Sequence, residues 1–244
     1  MHVTRIGLTP VKGTRHAELS SLRLEESGPV GDRVFCLVDV DHHRVMRTVD
    51  HPRLVLVETA WDGSTLTVRT PDGRVTTAPP RPTGEWLTLD YWGRGARVEL
   101  LGPPHVEPLA DHLGRDLHLA RVGRPGEIVY GNAVSIVTTG ALAEIGEADS
   151  SRFRATFTIE ADEDPAPGTE LRVGEAVLRV RAAIPRCRVI DINPATGELD
   201  RRHLATLADR PRPTGELPFG VDADVLVPGT VRAGDPVSID AATT

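Results

Sequence analysis

One short segment concentrates the residue types that could do chemistry: Ile184-Pro185-Arg186-Cys187-Arg188-Val189-Ile190-Asp191. It sets a thiol between two arginines, at the end of an apolar alternation running from Val177 to Ala183 and just ahead of a turn. A cationic neighbourhood favours the thiolate, which is both a nucleophile and a ligand for soft metals. In a fully extended strand Arg186 and Arg188 would face away from Cys187, which weakens that effect, but Pro185 argues against full regularity. The competing reading is a small buried core residue. Cys36, inside Val34-Phe35-Cys36-Leu37-Val38, fits that second reading well.

A lysine is the next candidate. Among 28 basic residues Lys12 is the single lysine, in Pro10-Val11-Lys12-Gly13. The arginine bias itself reflects composition, whereas one retained ammonium on a flexible stem marks a place where a planar guanidinium serves less well; chance is the alternative. Thr138-Thr139-Gly140 reads as a helix start, with capping the first role for Thr138 and anion binding the second. The histidines show no metal-ligand spacing: His42-His43, near His51, Asp39 and Asp41, falls in an expected hairpin turn, and His105, His112, His118 and His203 are scattered. Asp162-Glu163-Asp164 reads as a solvated loop, and neither a phosphate-cradling glycine motif nor a GxSxG elbow occurs.

The elements that must position these residues are mostly strands. Alternation and turn chemistry predict strands at 3–10, 19–24, 33–40, 54–61, 64–69, 86–92, 97–101, 153–160, 170–172, 177–183 and 225–226, several of them joined as hairpins. Short helices are expected over 107–113, 140–145 and 201–207, with Gly114, Thr138-Thr139 and Asp200 as boundary signals. Ala78-Pro79-Pro80-Arg81-Pro82 should interrupt any strand, and the domain boundary is expected near it, dividing the chain into 1–92 and 93–244. The segment 229–239 should add a closing barrel strand. Many short strands with few helices point to barrels or sandwiches.

Composition sets the outer limits. Apolar residues form 39% and charged residues 26% of 244, an ordinary globular balance, and no apolar run approaches the roughly 20 residues of a bilayer span. No membrane association is expected. The N-terminus lacks the layout of a secretion signal, so the expected compartment is the cytoplasm, with both cysteines as free thiols. A net charge of -7 argues against a nucleic-acid partner.

Arg186-Cys187 followed by Asp191-Ile192-Asn193-Pro194-Ala195-Thr196-Gly197 resembles the Arg-Cys and Asp-Pro-x-Thr-Gly signature of MOSC proteins, in the branch of the amidoxime-reducing component and its bacterial relatives. Pro10-Val11-Lys12-Gly13, Gly31-Asp32-Arg33 with Leu37-Val38-Asp39, His51-Pro52-Arg53-Leu54 and Ser151-Arg152-Phe153-Arg154 resemble further family motifs, in the family's order and across nearly the whole chain. The resemblance implies a MOSC-type β-barrel behind an N-terminal β-rich domain, with a molybdenum cofactor (molybdopterin) whose metal Cys187 binds. Matched by position, Lys12 and Arg33 would hold the pterin phosphate region and Arg154 the pterin, with Arg186 and Thr138 as further cofactor candidates. Three positions depart from the branch: Gly13 replaces a small hydroxyl residue, Thr156 an asparagine, and Pro185 a polar residue.

The activity this implies is molybdenum-dependent reduction of N-hydroxylated or N-oxide small molecules, with an electron-donor protein as partner. Two other readings stay open. In one, the cofactor has been lost and Cys187 is a nucleophile or persulfide carrier, in sulfur transfer or carbon-sulfur bond cleavage. In the other, the barrel is a non-enzymatic ligand-binding module.

Overall fold

The structure is a computed structural model that describes residues 1–210 and 215–240. As the alternation predicts, the chain is mainly β with a few short helices. Five strands close into a barrel, in the order Pro82–Tyr91, Arg94–Leu101, His118–Val122, Phe35–Asp39 and Arg44–Val45. Phe35, Leu37 and Leu119 pack into one apolar cluster and Cys36, Leu89 and Val98 into another. Opposite faces of Phe35–Asp39 thus serve two cores, and all five of its residues are buried.

A second, eight-stranded sheet follows the order Val237–Asp240, Glu170–Val173, Ala176–Pro185, Pro218–Val227, Val134–Thr138, Phe157–Ile159, Val3–Leu8, Ala17–Leu19. Val3–Leu8 is the first strand of the chain, yet it pairs antiparallel with Phe157–Ile159. The N-terminal segment is thus built into the sheet of the C-terminal half. Among the described residues no helix is long and apolar enough to cross a membrane.

Positions 92 and 93 lie in the turn of the hairpin joining Pro82–Tyr91 to Arg94–Leu101, both barrel strands, and barrel pairing runs on to Val122. Several expected elements differ. Pro82 opens a strand rather than breaking one, at a register irregularity where its missing N–H is harmless. The strand expected at 54–61 starts only at Glu58, because Pro52 opens a 3₁₀ turn over Pro52–Leu56. Ser150–Phe153 is likewise 3₁₀, leaving Phe157–Ile159 as the strand. The segment 229–239 supplies two strands, Gly229–Arg232 and Val237–Asp240, to different sheets. The helices Val106–Leu113 and Thr139–Glu144 lie within a residue of their expected bounds, with Gly114 in the left-handed cap conformation and Thr138 as N-cap, whereas the third runs over His203–Ala208 with Arg202 at its N-cap position, because the Asp200 carboxylate is taken by Arg152 and Asn193.

Candidate functional site

Two loops zipped side by side form one wall of the site. Arg33 N–H donates to Thr9 O (2.7 Å), Phe35 N–H to Pro10 O (3.0 Å) and Lys12 N–H to Phe35 O (2.8 Å). Asp32 accepts from Thr9 N–H at 3.0 Å and pairs with the Arg33 guanidinium. This ladder carries Lys12 and Arg33 to the same cavity, of about 360 Å³. Gly13 sits beside it at φ +92, a conformation glycine adopts freely.

Arg154 arrives from the other half of the chain. It ends the 3₁₀ turn Ser150–Phe153 in the left-handed region (φ 54) and reaches Thr9 Oγ1 with Nη2 at 3.0 Å. Arg33 (φ 48) and Trp92 (φ 55) share that uncommon backbone state, so three of the four non-glycine residues with positive φ among the described residues line this cavity. Such strain costs of order 1–3 kcal/mol per residue and clusters at functional sites.

The strand Ala176–Pro185 delivers the thiol. It ends at Pro185, after which Cys187 stands exposed and extended at the start of the 3₁₀ turn Arg188–Asp191. Because regular alternation stops there, Arg186 lines the cavity with Cys187, while Arg188 is exposed outside it. Arg186 donates from Nε to Phe219 O (2.6 Å) and from Nη1 to Phe153 O (2.9 Å); its buried Nη2 has no hydrogen-bond partner among the described residues.

The lining holds five cations, Lys12, Arg33, Arg47, Arg154 and Arg186, and no carboxylate. In a chain of net charge -7 that is a concentrated positive field, of the kind that recruits anions. Burial, then Arg33 and Arg154, push the Lys12 ammonium down to about 7. Burial likewise lowers Arg154 to about 9 and Arg186 to about 10. Lys12 Nζ lies 4.8 Å over the Tyr91 ring.

Four of the cofactor-binding candidates, Lys12, Arg33, Arg154 and Arg186, thus meet around Cys187. Thr138 does not join them. Its Oγ1 donates to Asp164 Oδ1 (2.9 Å) and accepts from Ala141 N–H (3.2 Å), while Gly140 N–H is taken by Ala161 O (2.9 Å), so the helix start is consumed by capping. Asp164 is accordingly a half-buried acceptor rather than part of a solvated loop; its other oxygen takes Gly220 N–H at 3.1 Å. Thr156 turns to Ser135, exchanging backbone-to-hydroxyl bonds of 3.2 and 3.0 Å, and it is Ser135 that lines the cavity. The sequence reasoning missed Ser135, Arg47, Tyr91, Trp92 and Tyr130; for the last three the available signal was rarity, since the chain has only 3 Trp and 2 Tyr.

His42 Nδ1 is hydrogen-bonded to Asp39 at 3.0 Å and Arg115 Nη1 lies 3.3 Å from His51 Nε2, and among the described residues no three His, Cys, Asp or Glu side chains cluster to cage a metal. A metal here would take one protein sulfur, from Cys187, and draw its other ligands from the group that carries it. Five cations, an orphaned guanidinium N–H and a soft donor at the open side fit a ligand with an anionic part and a thiophilic metal.

The family model "MOSC domain" matches residues 105–238, and "MOSC N-terminal beta barrel domain" matches residues 1–88. The chain belongs to the MOSC family. Human mitochondrial amidoxime-reducing component 1 is 24% identical to this MOSC protein, over 96% of this chain and 82% of that protein. The solved structure of YuaD from Bacillus subtilis shares 13% identity over 96% of this chain and 92% of its own, with a TM-score of 0.40. For YiiM from Geobacillus stearothermophilus the figures are 17%, 45% and 54%, with a TM-score of 0.32, so this MOSC chain spans about half of that protein.

Proposed function

We propose that this MOSC protein is a molybdenum-cofactor-dependent reductase of N-hydroxylated small molecules, with Cys187 as the metal's protein ligand. The observation that carries the reading is the exposed Cys187 thiol sharing one cavity with five cations and no acid. Lys12, Arg33 and Arg154 would hold the anionic part of the cofactor, and the free Nη2 of Arg186 is a further donor toward it. When bound, the cofactor supplies a metal that exchanges two electrons and an oxygen atom with substrate. The protein's part would be to fix the anion on three cations and present one exposed sulfur in the same cavity. Electrons would come from a separate donor protein.

Elemental analysis with an activity assay tests this. Purified protein should carry molybdenum in near-stoichiometric amount, Cys187→Ala should lose it, and reduction of an amidoxime by a chemical electron donor should depend on it. Metal-free protein with no reductase activity would overturn the proposal and favour thiol chemistry at Cys187. The replacement of polar residues by Gly13 and Pro185 at the cavity wall is what gives that second reading its footing.

A further inference from the structure

Tyr91 is 2% exposed, lines the cavity, and its hydroxyl has no hydrogen-bond partner among the described residues. A buried hydroxyl left unpaired is destabilising, and native structures keep few of them. Burial, together with the charges of Cys187 and Tyr130, pushes this phenol up to about 12 despite Arg33 and Arg94. The group therefore stays protonated at neutral pH and can donate.

Next to it the same wall turns aromatic. Trp92 is held in the left-handed region at the hairpin turn, 43% exposed, where a bulky side chain is strained. Arg47 covers one face of its indole at 4.3 Å, fixing the plane. Tyr130, 49% exposed, meets Trp92 edge-on with centroids 6.4 Å apart. Arg94 ties the two loops by donating to Val129 O at 2.8 Å. Three of the five Trp and Tyr residues in the chain thus stand along one cavity, two of them bared to water. Folding gains little from rings so exposed, whereas a flat ligand ring would bury them.

We infer that Tyr91 and Trp92 form a substrate-recognition wall: the Tyr91 hydroxyl donates to an acceptor atom of the ligand, while Trp92 and Tyr130 hold a planar aromatic ring attached to it. The substrate class is then an aryl compound with an oxygen or nitrogen acceptor close to the ring, and this rests on the reductase reading only for the choice of an N-hydroxylated probe.

Binding of benzamidoxime and of its aliphatic counterpart acetamidoxime to the full-length protein, measured by calorimetry without turnover, tests the wall. Tyr91→Phe should weaken both by about tenfold, the value of one hydrogen bond, while leaving the melting temperature equal or higher because an orphaned hydroxyl is gone. Trp92→Gly, which suits the local backbone, should weaken benzamidoxime several-fold and leave acetamidoxime unchanged. Wild-type binding of both probes by Tyr91→Phe, equal weakening of both by Trp92→Gly, or a melting temperature clearly lowered in Tyr91→Phe would each overturn the inference. Intact discrimination in a protein that reduces neither probe would support the wall and remove the reductase reading alone.

Discussion

Arg154 and Thr9 lie 145 positions apart in sequence, and the arginine's Nη2 donates to the threonine's hydroxyl at 3.0 Å. Thr9 also donates its N–H to Asp32 and accepts Arg33 N–H, so one buried residue joins the segments that carry Lys12, Arg33 and Arg154. The wall exists because the first strand is built into the sheet of the second half.

The Lys12 ammonium should govern pH dependence near neutrality. Burial lowers it to about 7, whereas the unfolded chain keeps its proton up to the ordinary lysine range near 10.4. Between these values the unfolded state binds more protons, so stability of the cofactor-free protein rises with pH. Scanning calorimetry at pH 7 and 9 should show the gain, and Lys12→Met should remove most of it. Sulfate, which does not titrate in this range, should bind about tenfold more weakly at pH 8 than at pH 6, and Lys12→Arg should flatten that slope.

The two thiols should separate by reactivity. Cys187 is exposed, while Cys36 is fully buried and pushed up to about 12 by that burial. Iodoacetamide should label one thiol in the native cofactor-free protein and two in urea. Peptide mapping that finds Cys36 among the native products would contradict this arrangement.

Restoring the branch's hydroxyl at position 13 should cost stability. Gly13 sits at φ +92, and an added Cβ would lie 3.0 Å from Thr48 Oγ1 and 3.2 Å from Leu54 Cδ1. Gly13→Ser should therefore destabilise by about 1 kcal/mol or more, read as a lower denaturation midpoint, whatever it does for cofactor affinity.

Arg152 clamps the segment after the thiol. It donates to Ile192 O (3.0 Å) and to both oxygens of Asp200 (2.8 and 2.9 Å), and lies 3.1 Å from Glu147. Glu147 in turn meets His203 Nε2 at 2.9 Å. Arg152→Met leaves a buried carboxylate short of its closest cation and should cost roughly 3–5 kcal/mol in urea unfolding. Cys187 should then alkylate at an altered rate, since Ile192 loses its anchor.

The sequence alone determined that the chain is mainly β, roughly where the short helices of the described residues lie, and which atoms are chemically apt: a thiol among arginines and a solitary lysine. These are local properties, written in alternation, capping residues and side-chain type. The tertiary structure decided which of them meet. Arg186 faces the cavity and Arg188 does not because the strand stops at Pro185; Thr138 is lost to capping; Arg47, the Tyr91-Trp92 pair, Tyr130 and Ser135 converge from segments far apart in sequence. A cavity is lined by chain segments brought together through strand pairing over more than a hundred residues and through backbone turns at positive φ. Neither long-range pairing nor a non-glycine positive φ leaves a periodic trace in the sequence.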